Sequence, residues 1–414
     1  MYSTSNILSK VIKRSWVIVL NGLNSMSSPL SNMIISYLVI SFTSIDFWGN
    51  IVYVIITLDF AFNIISWGNK PFLIQEFSLS PKSIIRFWQT SFLSRIPFLL
   101  LFILIIFSFD YSLQIKLYLI TWAMARYIYQ AFDAIIVFNK DFIFSLVVEL
   151  VGLLIIVVPI IIFQNALDIN LIISLYVFSL IVKSLTFSIY YRKIIVQGFS
   201  FKINRREWFD NSINYFFVAF PFLLLTFSGM LQSKIDLYSV AYFLGKADVA
   251  QYQIYLALLG FSQLVGSVLL SPFARNIFRL NKNSFKKLER LFIAAGVFIS
   301  FALITLFYFL TTDVYHFHFS IYMYLLGYFY IFPFYLYLLK NYELGKHRKQ
   351  KISALLSFSG SFVNFLFSIV LTPLLGIEGA LLSGVLSQFF MVLIFRYSHL
   401  WYERKISDIS KSKK

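Results

Sequence analysis

Cysteine is absent from this chain of 414 residues, and charged residues are scarce. The lack of cysteine excludes disulfide bonds, thiolate metal ligands, iron–sulfur clusters and cysteine nucleophiles. The four histidines form no H-E-x-x-H pattern, so the sequence shows no zinc signature. Charged residues make up 13% of the chain, about half of their usual share in soluble domains. This scarcity excludes a soluble enzyme, a DNA-binding domain and a disordered chain.

Hydrophobic residues make up 59% of the chain, and they occur in long uninterrupted stretches. A helix needs about 20 apolar residues to cross the hydrocarbon core of a bilayer. The sequence therefore predicts an all-α polytopic membrane protein with about twelve transmembrane helices. The predicted helices lie at 16–42, 47–69, 88–109, 115–138, 142–163, 169–191, 213–236, 249–271, 291–310, 319–339, 352–373 and 378–400.

Basic residues lie almost entirely on one side of these predicted helices. Most of the 35 lysines and arginines fall in segments on the same side as the N-terminus, and the opposite loops carry only Lys116 and Lys246. Because basic loops stay in the cytoplasm, we expect a multi-pass membrane protein with both termini in the cytoplasm; the resemblance described below implies that this membrane is the bacterial inner membrane. The net charge of +17 then reflects topology, and we expect no nucleic-acid partner.

The predicted helices divide evenly along the chain. Six fall in an N-terminal half at 1–191, and six fall in a C-terminal half at 213–400. The segment between them, 192–212, is basic and amphipathic, as expected for a cytoplasmic linker at the membrane surface. A basic cytoplasmic tail follows at 401–414.

Eight charged residues fall inside the predicted helices. Each costs about 2.5–3.5 kcal/mol on insertion scales, so such residues usually face a cavity or a charged partner. The cations are Arg95, Arg126, Lys183 and Lys234, and the carboxylates are Asp59, Asp133, Glu149 and Asp236.

Two interpretations of these charges stay open for any single residue. In the structural one, acidic and basic side chains neutralise one another between packed helices. In the functional one, which we favour for the set, the two halves enclose a central polar cavity. The cations then bind an anionic group, and the carboxylates pair with the cations or carry coupling ions. Amide and hydroxyl residues at helical spacing are expected to line this cavity: Asn21, Asn24, Ser28, Asn63, Gln130, Gln232 and Gln263.

Three segments carry a resemblance to a known family. Residues 234–252 place Asp236 before a Leu-Gly pair and a short polar loop, with Ala250 where the family often has glycine. Asn364 and the segment LTPLLGIEGA at 371–380 form the second match, and Phe47-Trp-Gly49 forms the third. The chain resembles the Wzx-type O-antigen flippases of the multidrug/oligosaccharidyl-lipid/polysaccharide exporter superfamily.

The resemblance implies two six-helix halves around a V-shaped cavity. It implies a flippase that moves undecaprenyl-diphosphate-linked oligosaccharide, an O-antigen unit or a similar repeat, from the cytoplasmic to the periplasmic leaflet by alternating access. The implied partners are this lipid-linked sugar and membrane lipid, and the polymerase and chain-length proteins of the same pathway are candidates. No cofactor, metal or catalytic residue is implied.

Other functions remain open at this point. A small-molecule or drug antiporter of the same superfamily would share the architecture, and a capsule unit would be an equivalent cargo. A membrane polysaccharide polymerase or ligase would need a sizeable outside loop with catalytic residues. The outside loops are short, and only Asp313, His316 and His318 cluster there, so we do not expect an enzyme.

Overall fold

A computed structural model describes residues 4–200, 205–270, 282–346 and 350–412. All regular structure in these ranges is helical, with no strand. The helices are α1 Thr4–Phe42, α2 Ile45–Ser66, α3 Asn69–Leu79, α4 Ile84–Phe107, α5 Leu113–Gln130, α6 Asp133–Asn139, α7 Phe142–Ile162, α8 Ile169–Tyr190, α9 Arg192–Ser200, α10 Arg205–Phe243, α11 Lys246–Leu270, α12 Lys282–Phe309, α13 Ile321–Lys346 and α14 Gln350–Ser412.

Within the described ranges, nine helical stretches are long and apolar enough to cross a membrane. They contain ten of the twelve predicted spans, because the last two predicted spans fall in one stretch, Lys351–Ser398. The other two predictions, 16–42 and 115–138, coincide with α1 and with the α5–α6 pair. Many side chains on these helices are apolar and exposed, as lipid-facing residues are. The prediction of an all-α polytopic membrane protein is confirmed.

Three breaks shape the helices, and two of them depend on glycine. Trp67 and Gly68 adopt left-handed backbone conformations between α2 and α3. A Cβ on Gly68 would lie 2.5 Å from the carbonyl carbon of Phe222, so only glycine allows α10 to pack against this break. Gly376, with φ 63° and ψ −142°, interrupts α14 between the two predicted spans.

The third break separates α5 from α6 and contains neither proline nor glycine. Trp88 of α4 donates its indole N–H to the carbonyl oxygen of Ala131 at 2.9 Å, which satisfies one acceptor that the broken helix exposes. Trp88 also stacks on Phe132, with ring centroids 6.0 Å apart. Asp133 then begins α6, so this break fixes the position of a charged side chain.

The chain forms two compact units, Met1–Phe227 and Ser228–Lys414. Their boundary lies inside α10, beyond the linker predicted at 192–212. Aromatic and branched side chains build the core of each unit. In the first unit Trp88 and Phe187 lie in one cluster and Phe62 and Trp122 in another. In a bilayer such packing stabilises through van der Waals contact rather than through removal of apolar surface from water.

Candidate functional site in the membrane-spanning helices

The first unit contains six of the eight predicted intramembrane charges, one on each of six helices. Arg95 lies at the middle of α4, and Glu149 lies in the first half of α7. Arg95 is eleven residues into α4, about 16 Å along its axis, and Glu149 is seven residues into α7, about 10 Å along. The end of the unit where α4 begins carries the exposed basic residues Lys82 and Arg86. Glu149, Arg126 and Arg95 all act electrostatically on Asp133, so these charges lie near one another inside the unit.

Arg126 and Asp59 form the first ion pair. The Nη1 atom of Arg126 lies 2.7 Å from Oδ1 of Asp59, and the two side chains are 22% and 19% exposed. The guanidinium also lies over the ring of Phe62, 4.8 Å from the ring centroid. Asn63 donates its amide N–H to the backbone carbonyl of Asp59 at 2.8 Å. This pair joins α5 to α2 and neutralises both charges.

Lys183 and Glu149 form the second ion pair, between α8 and α7. The Nζ atom of Lys183 lies 2.7 Å from Oε2 of Glu149, and the hydroxyl of Tyr129 donates to Oε1 at 2.5 Å. The lysine reaches the carboxylate by passing over Gly152: a Cβ at that position would overlap with Cε of Lys183. Ser179 donates to the carbonyl of Gly152 at 2.8 Å and holds the two helices together at the crossing.

Arg95 is the third cation of this unit, and it has no carboxylate within 4 Å among the described residues. Its side chain is 1% exposed. The Nε atom donates to the carbonyl of Ser91 at 3.0 Å, and the guanidinium lies 5.1 Å from the ring centroid of Tyr127. In the part of the chain that the structure describes, Nη1 and Nη2 have no hydrogen-bond partner. Each unsatisfied buried donor costs about 1–3 kcal/mol, and more on a charged group.

Asp133 is the third carboxylate of this unit. It makes no ion pair or hydrogen bond with another described residue. The cations that act on it electrostatically are Lys70, which has the strongest effect, then Arg126 and Arg95. The three carboxylates and three cations thus form two ion pairs and leave Arg95 and Asp133 apart.

The second unit holds the other two predicted charges, both on α10. Asp236 is fully buried, and it accepts a hydrogen bond from the hydroxyl of Tyr252 at 2.7 Å and one from the backbone N–H of Leu237 at 2.9 Å. A Cβ on Gly384 would lie 3.5 Å from Oδ2 of Asp236, so this carboxylate faces a close-packed helix. Lys234 is half-buried and interacts with another part of the chain.

The predicted polar lining residues have different surroundings. Asn24, Gln232 and Gln263 each have one buried amide atom without a hydrogen-bond partner among the described residues. Ser28 is exposed on α1. The remaining members of the set, all half-buried, are Asn21, Asn63 and Gln130. The described residues contain no group of three or more histidine, aspartate or glutamate side chains able to hold a metal ion.

Several residues around these charges were not predicted. Tyr129 completes the site of Glu149, and Gly152 makes room for Lys183. Tyr252, which donates to Asp236, is the last residue of the segment 234–252 that carries the family resemblance. In the second unit, Asn364 accepts a hydrogen bond from the hydroxyl of Ser383 at 2.9 Å and donates to the carbonyl of Gln232 at 3.4 Å. From the sequence, Asn364 is notable only as part of the family resemblance. A tyrosine or glycine that faces a charged residue on another helix can be recognised from the sequence only when it is known which helices are neighbours.

No family model matches the sequence, and no curated protein matches it. Solved structures do resemble its fold. An inward-facing multidrug resistance transporter of the MATE family, in the MOP superfamily, is 14% identical, covers 96% of this chain and 100% of its own, and has a TM-score of 0.65. A MATE protein in complex with MaL6 is 14% identical, with 97% of each chain covered and a TM-score of 0.60. An outward-facing MATE family transporter is 13% identical, with 96% of each chain covered and a TM-score of 0.56.

These likenesses extend over nearly the whole chain at low identity, so they concern the fold. The observed helices, their hydrophobic lengths and the two compact units agree with it. The chain therefore has the two-part, membrane-embedded fold of the MATE transporters of the MOP superfamily.

Proposed function

We propose that this chain is a flippase that moves undecaprenyl-diphosphate-linked oligosaccharide from the cytoplasmic to the periplasmic leaflet of a bacterial inner membrane. The observation that carries the proposal is Arg95, a buried guanidinium at membrane depth whose Nη atoms have no partner among the described residues. Such a residue is complementary to an anionic group. A protein that carries a diphosphate through the bilayer needs fixed cations, because they offset the large cost of removing the anion from water.

The position of the charged residues in the first unit agrees with entry of the cargo from the cytoplasm. We propose that the basic end of the first unit, with Lys82 and Arg86, faces the cytoplasm, as the distribution of basic residues predicts. Glu149 then lies on the cytoplasmic side of the unit, and Arg95 lies near the middle of the membrane. Alternating access is part of this proposal.

The two ion pairs and the buried aspartate have separate proposed roles. Arg126 and Lys183 are assigned as cations that the cargo meets when the pairs with Asp59 and Glu149 rearrange. Asp236 has hydroxyl and backbone donors but no cation within 4 Å among the described residues. A carboxylate in that setting suits exchange of a coupling proton or sodium ion. Lys234, on the same helix, is a further proposed cation for the cargo.

The proposed partners follow from the proposed cargo. They are the lipid-linked oligosaccharide itself, the surrounding membrane lipid, and the polymerase and chain-length proteins that act on the same glycan. Nucleic acid is not among them, because the basic residues lie where membrane topology requires them.

A drug antiporter is the second candidate. The similar structures include multidrug resistance transporters of the MATE family. Asp133 has no ion pair with a described residue, and Asp236 has only hydroxyl and backbone partners there, so either carboxylate could attract an organic cation. The charge of the transported molecule separates the two candidates: the flippase requires an anionic head group, and the antiporter requires a cationic one.

The test uses cells that lack this chain. We expect single oligosaccharide units on undecaprenyl diphosphate to accumulate on the cytoplasmic face of the inner membrane, and the wild-type chain to clear them. Accumulation on the periplasmic face would indicate a polymerase or ligase instead. No accumulation, an unchanged surface polysaccharide and a new sensitivity to cationic drugs would overturn the flippase in favour of the antiporter.

A further inference from the structure

The packing of α4 against the N-terminal part of α10 forms a seam of hydroxyl groups around Arg95. Ser94 donates to the hydroxyl oxygen of Ser212 at 2.8 Å, and Ser91 lies 3.5 Å from the hydroxyl oxygen of Tyr215. All four hydroxyl residues are buried, as is Arg95. We call this group the hydroxyl seam: Ser91, Ser94, Arg95, Ser212 and Tyr215.

The hydroxyl seam contains unsatisfied hydrogen-bond donors, which belong to Arg95. The hydroxyl of Ser91 donates to Oδ1 of Asn69, and Ser94 uses its hydrogen on Ser212. Both Nη groups of Arg95 have no hydrogen-bond partner among the described residues. A buried site with spare donors and a fixed positive charge is complementary to an oxyanion.

The geometry of the cation favours phosphate over a spherical anion. A guanidinium presents its N–H groups as a planar fork that matches two oxygens of one phosphate group. Nε of Arg95 is already bonded to the carbonyl of Ser91, which turns the remaining fork, Nη1 and Nη2, away from its own helix. Stacking on Tyr127 fixes the plane of the fork. Hydroxyls from both α4 and α10 could then bind a second phosphate oxygen.

We propose that the hydroxyl seam is the phosphate-binding subsite for the head group of the transported lipid, and that it binds only when α4 and α10 separate. This inference rests on the proposed function. In the described conformation the Nη atoms are sealed from solvent, so a ligand cannot reach them while the seam is closed. α10 supplies Ser212 and Tyr215 to the seam, so its separation from α4 would expose the Nη atoms.

The absence of cysteine makes the seam directly testable, because a cysteine pair introduced at Ser94 and Ser212 would be the sole pair in the chain. Their hydroxyl oxygens are 2.8 Å apart, so S94C/S212C is placed to form a disulfide across the seam. The full-length protein in nanodiscs is titrated with undecaprenyl diphosphate. We expect the oxidised variant to lose binding and the same preparation to regain it on reduction, at a lower affinity than the parent because two hydroxyls of the seam are replaced by thiols. The parent chain should be unaffected by the oxidant.

Charge variants test the same site without a cross-link. We expect Arg95→Gln to weaken undecaprenyl diphosphate binding about 10- to 100-fold, the usual range for a hydrogen-bonded charge, and Arg95→Lys to weaken it less. Arg86→Gln, an exposed arginine on the same helix, is the matched control and should bind as the parent does. If Arg95→Gln fails to fold, the oxidised and reduced forms of S94C/S212C still decide the question.

Three further outcomes have distinct meanings. If phosphatidylglycerol displaces the probe at equal concentration, the seam recognises phospholipid head groups and its assignment to the cargo is overturned. If Arg95→Gln and the oxidised double variant both bind like the parent, the phosphate binds elsewhere, and the inference fails while the proposed function stands. If the parent chain binds neither undecaprenyl diphosphate nor inorganic pyrophosphate, the proposed function itself fails.

Discussion

Gly152→Ala is a small change that should break the Lys183–Glu149 ion pair without touching either charged residue. The added Cβ would overlap with Cε of Lys183 and lie 2.9 Å from both its Nζ and Oγ of Ser179. The lysine side chain is flexible and can move aside, but it then leaves Glu149, which is only 7% exposed. Breaking a buried pair costs about 3–5 kcal/mol, and the 17% exposure of Lys183 reduces this because the freed amine reaches some polar surroundings.

Helix propensity acts in the opposite direction and is too small to compensate. Alanine is favoured over glycine by up to about 1 kcal/mol in a helix interior. The net expectation for Gly152→Ala is therefore a loss of about 1–3 kcal/mol in the free energy of unfolding. Gly260→Ala is the matched control, since a Cβ there meets no atom within 4 Å, and it should be neutral or slightly stabilising.

Thermal unfolding of the detergent-purified variants provides the assay. Gly152→Ala should lower the melting temperature, and the loss should disappear in a Lys183→Met background, where no ion pair remains to be broken. A melting temperature for Gly152→Ala equal to that of Gly260→Ala would refute the reasoning, because the pair would then contribute nothing to stability.

Three more changes follow from other parts of the structure. Gly68→Ala should destabilise by at least about 2 kcal/mol or abolish insertion, because its Cβ meets backbone atoms at a left-handed position; near-normal expression and melting temperature would contradict this. Arg126→Ala should lower the free energy of unfolding by about 2–3 kcal/mol and impair export, because it leaves Asp59 unpaired. The double variant D59N/R126Q should recover most of the stability, measured as melting temperature, but not the export, measured as surface glycan. Equal melting temperatures of the single and double variants would contradict a neutralising ion pair. Asp236→Asn keeps an acceptor for Tyr252 and should fold normally yet export poorly, and normal export would remove Asp236 from ion coupling.

Much of the fold could be predicted from hydrophobic length alone. The stretch 142–163 agrees with Phe142–Ile162 and 169–191 with Ile169–Tyr190, because a bilayer fixes how long an apolar helix must be. The α5–α6 break at Ala131 could not be predicted, since no proline or glycine marks it. It depends on Trp88, which comes from another helix and binds the exposed carbonyl.

The charged residues could be listed from the sequence, but their pairing could not. Asp59 and Arg126 are 67 positions apart, and only the packing of α2 against α5 brings them together. Insertion cost predicts that each needs a partner, and the structure shows that the partner is another side chain in two cases out of three in the first unit. Arg95 and Asp133 are the exceptions among the described residues of that unit, and no pattern in the sequence distinguishes them from the paired charges.

The central claim concerns the transport of an anionic lipid head group, and reconstituted liposomes test it most directly. The purified chain is placed in liposomes that carry an undecaprenyl-diphosphate-linked oligosaccharide on one face, and the arrival of the sugar on the other face is timed with a sugar-binding lectin. The account predicts rapid arrival with the wild-type chain and slow arrival with Arg95→Gln. Equal, slow arrival with wild-type protein, variant and empty liposomes, under an imposed proton or sodium gradient, would contradict it.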